Sequence, residues 1–161
     1  MADGRIRPLE GATDASSCDA IIASLPGWFG DEEGLRQCAA AVRSQPGFVV
    51  ERDGQVLAFL TVVRPRPQTA EISWMAAHAD HRGAGHGRAL IDALVTDLHA
   101  TDVRFLAVKT LSDRHPDLSY AETRAFYGAM GFMPLMDLDV WGPESPAMLL
   151  VRSLAYIKML A

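Results

Sequence analysis

Cysteine, basic charge and long apolar runs are all scarce in this chain of 161 residues. Its two cysteines, Cys18 and Cys38, have neither Cys-x-x-Cys spacing nor further thiol partners, which argues against a zinc site or a disulfide framework. Fifteen basic and twenty acidic residues give a net charge of −5 without a long block of either sign. The chain therefore lacks the basic stripe that binds a nucleic-acid backbone, and we expect no nucleic-acid partner.

The apolar runs of the sequence are short. Residues 56–63 and 147–151 are among the longest, far below the ~20 residues that a membrane-spanning helix needs. The charged N-terminus is not followed by the apolar segment of a secretory signal. From these absences we expect no membrane partner and a cytoplasmic location.

Hydrophobic periodicity predicts the element order β-α-α-β-β-β-α-β-α-β-β. The predicted strands are residues 5–9, 48–52, 56–63, 69–77, 103–110, 132–138 and 147–153, and the predicted helices are residues 14–25, 32–44, 85–98 and 120–130. Three consecutive strands followed by alternating helices and strands indicate an α/β chain of the α+β type, with a mixed, mostly antiparallel sheet. A doubly wound sheet would require more regular alternation.

A glycine-rich turn, Arg-Gly-Ala-Gly-His-Gly-Arg at residues 82–88, lies between a predicted strand and a predicted helix. Glycines allow several backbone N–H groups to converge, and the helix directs its unpaired N–H groups to the same point, which suits a pyrophosphate. The spacing differs from the Gly-x-Gly-x-x-Gly of dinucleotide folds, and no Walker Lys-Ser or Lys-Thr follows. The alternative is a turn that merely connects strand to helix.

A second segment, Thr-Arg-Ala-Phe-Tyr-Gly-Ala-Met-Gly-Phe at residues 123–132, follows about 40 residues later, and its helix is predicted to end at Gly131. Together, Arg-x-x-Gly-x-Gly from Arg82 and Ala-Phe-Tyr-x-x-Met-Gly-Phe from Ala125 resemble the GNAT superfamily of acyl-CoA-dependent N-acyltransferases. The resemblance implies one domain over residues 1–161, with a seven-stranded sheet, about four flanking helices, and coenzyme A in a V-shaped cleft between splayed central strands. Residues 1–45 would be the variable acceptor-side helices and residues 46–161 the coenzyme A-binding core.

The resemblance implies acetyl-CoA as co-substrate, without a metal. Its pyrophosphate would lie on the turn formed by Arg82, Gly83, Ala84, Gly85, His86, Gly87 and Arg88, and its pantetheine arm would pair with the backbone of Met75, Ala76 and Ala77. Further contacts would come from Tyr120, Thr123 and Phe126. Tyr120 stands where the family often has an asparagine that contacts the coenzyme.

Two residues match catalytic positions of the family. Tyr127 would protonate the departing coenzyme A thiolate, since a phenol of pKa ≈ 10 and a thiol of pKa ~8.5 differ by a gap that local electrostatics can offset. Glu71 resembles the general base that removes a proton from the acceptor ammonium. The alternatives are a core aromatic at position 127 and a solvated strand residue at position 71.

Aromatic residues would line the acceptor side. By the resemblance, Trp28, Phe29 and Trp141 would contact the amine through apolar or cation–π interactions. His78, His81 and His86 lack metal-ligand spacing and are interpreted as a solvated loop cluster, in which nearby phosphate would favour the charged form of His86.

The sequence thus predicts an acetyl-CoA-dependent N-acetyltransferase in which an amine attacks the thioester directly within a ternary complex. The acceptor, either a small-molecule amine or a protein amine, stays open, as does a homodimer. A non-catalytic acyl-CoA-binding sensor or regulatory module is the alternative function, and a purely structural domain is a further one.

Overall fold

The computed structural model describes residues 3–28 and 31–154. The helices are α1 (Gly11–Ala23), α2 (Glu32–Ser44), α3 (His86–His99) and α4 (Ser119–Ala129), with a short 3-10 turn at Ala79–His81. The strands are β1 (Arg5–Pro8), β2 (Gly47–Arg52), β3 (Gln55–Arg66), β4 (Thr69–Ala77), β5 (Phe105–Leu111), β6 (Met133–Leu138) and β7 (Ala147–Ser153). The predicted order of helices and strands is confirmed.

The strands form one seven-stranded sheet in the order β1-β2-β3-β4-β5-β7-β6. The pairs β1–β2, β2–β3, β5–β7 and β6–β7 are antiparallel, whereas β4 and β5 are parallel. The predicted mixed, mostly antiparallel sheet is therefore confirmed. The parallel pair requires a crossover connection, which the chain supplies through α3.

Strand β3 and helix α1 differ most from the predicted bounds, each by three residues at one end. Strand β3 continues to Arg66, three residues beyond the predicted end, because the fixed φ of Pro65 is compatible with extended backbone. Helix α1 begins at Gly11 rather than at Asp14. The Asp14 carboxylate reaches back to accept a hydrogen bond from the backbone N–H of Glu10 at 2.8 Å, so it caps the helix from within its first turn.

The chain divides into two compact units, of which the first comprises Met1–Val63 and Ser73–Ala100. Its core includes a cluster that joins α1 and α2 to the strands, with Cys18, Ile21, Val42 and Phe59 among its buried members. Burial raises the pKa of the Cys18 thiol to about 12. This cysteine is thus a core side chain without nucleophilic character at neutral pH.

A charged network fastens α1 to the strands of the first unit. The Arg7 guanidinium donates to both carboxylate oxygens of Asp14 at 2.9 Å and to Glu51 at 2.5 Å. Hydrogen bonds from Arg7 hold the pKa of the buried Asp14 carboxyl below its usual value. The two carboxylates compensate the arginine charge where the strands meet the helix.

The second unit comprises Arg64–Ile72 and Thr101–Ala161. Strand β5 lies at its centre, between the parallel β4 and the antiparallel β7, and its Leu106 and Val108 are buried. Helix α4 ends where Gly131 adopts a φ of +87°, as its predicted cap requires. The following residue, Phe132, is buried and returns the chain to the sheet.

Gly47, at the start of β2, provides a stability test of this packing. A Cβ at this position would lie 1.9 Å from the carbonyl oxygen of Leu60, a backbone atom of β3. We expect Gly47→Ala to lower the free energy of unfolding by about 3 kcal/mol, because the two strands must separate to admit the methyl group. Urea denaturation followed by circular dichroism measures this loss.

Gly128→Ala is the matched control. Gly128 lies inside α4 with open space around its prospective Cβ, so alanine should raise the free energy of unfolding by about 0.5–1 kcal/mol through helix propensity. A wild-type denaturation midpoint for Gly47→Ala would contradict the described β2–β3 pairing.

Candidate functional site

The glycine-rich turn joins β4 to α3 through two residues with left-handed backbone. Gly83 has a φ of +74° and Gly85, the residue before the first helical position, has a φ of +84°. The first helical hydrogen bond runs from Ala89 N–H to the Gly85 carbonyl at 3.1 Å. The N–H groups of residues 86–88 precede that bond and stand at the positive end of the helix dipole, which is the arrangement that binds anions.

An open cavity of about 680 Å³ borders this turn within the first unit. It is lined by Gly4, Ile6, Gly83, Ala84, Gly85, Arg88, Ala89 and Asp92. Arg88 contributes a guanidinium to the same surface as the turn backbone. The lining includes the acidic Asp92 as well as the cationic Arg88, and the space next to the turn is large enough for phosphate groups.

His86 differs from the expected solvated loop histidine. It is the first residue of α3, only 3% exposed, and its Nδ1 atom has no hydrogen-bond partner among the described residues. Burial lowers its pKa, and the neighbouring charges of His81 and Arg52 lower it further, whereas Asp3 acts in the opposite direction. These protein groups therefore favour the neutral form of His86.

Two residues predicted for different roles meet in the first unit. The guanidinium carbon of Arg82, expected at the coenzyme turn, lies over the ring of Trp28, expected at the acceptor, 4.4 Å from the ring centroid. Trp28 also packs against the core cluster of α1 and α2. The cation–π position on this indole is therefore taken by a cation of the protein itself.

The end of β4 lies beyond its parallel partner. The register between β4 and β5 runs from Thr69 to Ile72, and residues 75–77, the expected pantetheine strand, come after its last pair. Ala76 is buried in the core, while Met75 and Ala77 are half-buried. Residues 75–77 therefore take no part in the β4–β5 register, and their backbone suits pairing with an extended ligand.

Tyr127, the expected proton donor, lies on α4 in the second unit and is 6% exposed. Its ring meets Phe126 and Phe132 edge to face, with centroid distances of 5.3 Å and 5.5 Å. Burial raises the pKa of the phenol. The phenol thus stays protonated across the physiological range, and it is a weaker acid than an exposed tyrosine.

Glu71, the expected general base, forms an ion pair with Lys109, which the sequence analysis did not identify. The parallel register sets Glu71 opposite Ala107, so Lys109, two residues farther along β5, projects from the same face of the sheet. Both side chains are partly buried, at 17% and 31% exposure. The lone lysine in the apolar strand of residues 105–111 was the signal that could have pointed to this pair.

The remaining predicted residues of the second unit lie on α4 and a loop. Tyr120 is half-buried and edge-on to His115, with ring centroids 6.4 Å apart. Thr123 and Phe126 are half-buried on the same helix. Trp141 follows β6 and is 46% exposed. Phe29, also expected at the acceptor, lies outside the described residues.

Residues 3–28 and 31–154 contain no group of three or more His, Cys, Asp or Glu side chains placed to hold a metal ion. Within those same ranges, no helix has the length and apolar character needed to cross a membrane.

Comparison with known families matches residues 43–134 to a model described as "Acetyltransferase (GNAT) domain". This segment includes the glycine turn and Tyr127. A sequence comparison with curated proteins found no match.

Several solved structures resemble the chain over nearly its full length. A protein assigned to the GNAT acetyltransferases from Desulfovibrio desulfuricans has a TM-score of 0.81 at 20% identity, covering 95% of this chain and 100% of its own. The ribosomal-protein-S18-alanine N-acetyltransferase of Escherichia coli has a TM-score of 0.76 at 19% identity, covering 96% of both chains. An aminoglycoside 6'-N-acetyltransferase complexed with coenzyme A has a TM-score of 0.72 at 12% identity, covering 94% of this chain and 98% of its own. At these identities the likeness establishes the fold.

The buried His86 predicts a pH dependence of stability. Its pKa is lower in the folded protein than the ordinary value of 6.5, so the unfolded chain binds the proton more readily. The contribution of His86 to the free energy of unfolding is therefore fully present above about pH 6.5 and is lost as the pH falls below that value. We expect His86→Gln to flatten this decrease between pH 7 and 5, as measured by urea denaturation at each pH.

The exposed His99 of the same helix supplies the control. His99→Gln should retain the wild-type slope of unfolding free energy against pH. If His86→Gln and wild type show the same slope, His86 is not a buried neutral imidazole.

Proposed function

The chain belongs to the GNAT acetyltransferase family, and from that membership we propose that it is an N-acetyltransferase that transfers the acetyl group of acetyl-CoA to a primary amine. The observation that carries the proposal is the left-handed turn at Gly83 and Gly85, which opens α3 with its first N–H groups unpaired within the helix. The turn lies within the matched segment of the family model.

In this proposal the coenzyme pyrophosphate is bound by the backbone of residues 83–88. The residues fit that group: the turn is positively charged through Arg82 and Arg88 and borders an open cavity. The backbone of Met75, Ala76 and Ala77 would hold the pantetheine amides as an added strand would. Tyr120, Thr123 and Phe126 are proposed as further coenzyme contacts.

The proposed chemistry is direct transfer. The neutral amine nitrogen forms a bond to the thioester carbonyl carbon, the carbon–sulfur bond breaks, and coenzyme A leaves as a thiolate. Tyr127 would give its phenolic proton to that sulfur. Its raised pKa keeps the proton in place until the thiolate charge develops, although full transfer is then less favourable than from an exposed phenol.

Glu71 is proposed to remove the proton that the acceptor ammonium must lose before attack. Its carboxylate already accepts a hydrogen bond from Lys109, and this ammonium compensates its charge where water is partly excluded. Trp28 and Trp141 are proposed for the acceptor side. Because Arg82 lies over the Trp28 ring, the cation–π contact to an amine would come from the exposed ring of Trp141.

Two observations favour the second candidate function, a coenzyme A-binding module without catalysis. The raised pKa of Tyr127 weakens it as an acid, and the Lys109 ion pair engages the carboxylate that would act as base. A regulatory module would keep the glycine turn and bind the coenzyme without releasing free thiol.

A thiol-release assay separates the two functions. Acetyl-CoA is first titrated into the protein by calorimetry, and free thiol is then followed with a panel of amines. Since the similar structures include enzymes named for a ribosomal-protein alanine and for an aminoglycoside, the panel contains a peptide with N-terminal alanine, an aminoglycoside, a polyamine and a lysine peptide. Thiol release with one amine supports the transferase; binding without release favours the module, and absence of binding contradicts both.

Tyr127→Phe tests the proton donor. We expect kcat to fall about 100-fold, the scale of a lost general acid, while the Kd of coenzyme A is unchanged because the ring still packs against Phe126 and Phe132. Steady-state kinetics and calorimetry measure the two quantities. Thermal unfolding of the variant is the control that the packing of α4 is retained. If Tyr127→Phe turns over as fast as wild type at every pH, Tyr127 is not the general acid.

Glu71→Gln tests the general base and keeps the shape of the side chain. We expect turnover to fall most at low pH, where the acceptor amine is most protonated and most needs a base. The control is Lys109→Met, which breaks the same ion pair and retains the carboxylate. Equal pH–rate profiles for the two variants would show that Glu71 acts only through its ion pair.

A further inference from the structure

A role in acceptor binding does not explain the contacts that Trp28 makes. It follows α1, its backbone N–H donates to the Leu25 carbonyl at 3.2 Å, and its ring packs against the buried cluster of α1 and α2. The exposed Arg82 places its guanidinium carbon 4.4 Å from the centroid of that ring. A surface arginine of the glycine turn is thus held against an aromatic ring that is itself fixed by the core.

This contact leaves the hydrogen-bonding capacity of Arg82 available. When a guanidinium stacks on an aromatic ring through its π face, its five N–H donors lie in its plane and point outward. Arg82 can therefore remain on Trp28 while its donors bind phosphate oxygens. Ordering a long side chain before binding removes part of the entropic cost that a mobile arginine would incur on binding.

A second contact connects the end of α1 with the segment that precedes Arg82. The backbone N–H of Ala79 donates to the Ser24 hydroxyl at 3.0 Å, and that hydroxyl donates to the Ile21 carbonyl at 2.6 Å. The end of α1 is thereby tied to the 3-10 turn that precedes Arg82. The hydrogen bond between Ala79 and Ser24 therefore already sets the separation of the two segments that carry Trp28 and Arg82.

We propose that Trp28 is a positioning residue for coenzyme binding: its indole holds the Arg82 guanidinium ready for the coenzyme phosphates. This inference rests on the proposed function, since it requires that the glycine turn binds coenzyme A. It gives the α1–α2 loop a role on the coenzyme side, in addition to the acceptor side. The ring acts through Arg82 and needs no contact with the coenzyme.

A double-mutant cycle tests the inference, with the Kd of coenzyme A measured by calorimetry for wild type, Trp28→Leu, Arg82→Gln and the double variant. We expect Trp28→Leu to weaken binding about two- to fivefold, the scale of an exposed cation–π contact. In the Arg82→Gln background the same substitution should have no further effect, because the side chain that it positions is gone. Equal effects in both backgrounds would overturn the inference.

Three comparisons separate positioning from general structural damage. Trp28→Phe keeps an aromatic face and should restore most of the affinity that leucine loses. Trp74→Leu alters another tryptophan that packs against the same core cluster and should leave the Kd of coenzyme A unchanged. Thermal unfolding of each variant checks that the fold is kept. A Trp28→Phe variant as weak as Trp28→Leu would contradict the cation–π role.

Kinetics distinguish this role from acceptor binding. Positioning of Arg82 predicts that Trp28→Leu raises the KM for acetyl-CoA and leaves the KM for the amine unchanged. A raised KM for the amine with unchanged coenzyme A affinity would overturn the inference and assign Trp28 to the acceptor alone. If wild-type protein binds no coenzyme A, the proposed function fails as well; if it binds and the cycle is additive, only this inference fails.

Discussion

The backbone geometry of the glycine turn in the first unit depends on the positive φ values of Gly83 and Gly85. They turn the chain between a strand whose end is partly buried and a helix whose apolar face, with Leu90, Ile91 and Leu94, is buried. Because both neighbours are fixed by the core, the N–H groups at the start of α3 are held in place before a ligand arrives. Preorganised donors bind an anion at little entropic cost.

Two side chains support this turn by different physical means. The buried His86 imidazole, whose lowered pKa favours the neutral form, anchors the first helical residue without adding charge to the core. The Trp28 ring restrains Arg82, so a full positive charge stays at the surface beside the turn. Positive charge is thus present at the exposed Arg82 and disfavoured at the buried His86.

The sequence predicted the parts of this arrangement that are local in the chain. The bounds of α2, β4 and β7 follow from periodicity and caps, and the glycine spacing indicated the turn itself. It did not predict contacts between distant residues. The Glu71–Lys109 pair depends on the parallel register of β4 and β5, and the Arg82–Trp28 contact depends on how α1 ends. The burial of His86 was missed because it was grouped with His78 and His81 as a loop histidine, although the predicted helix included it; its burial depends on how the start of α3 packs.

A crystal structure of the protein with coenzyme A tests the central claim most directly, because it locates the pyrophosphate against named backbone atoms. The account predicts phosphate oxygens within hydrogen-bond distance of the N–H groups at the start of α3, with Arg82 still on the Trp28 ring. A coenzyme bound elsewhere, with the turn at Gly83 and Gly85 free of phosphate, would contradict it.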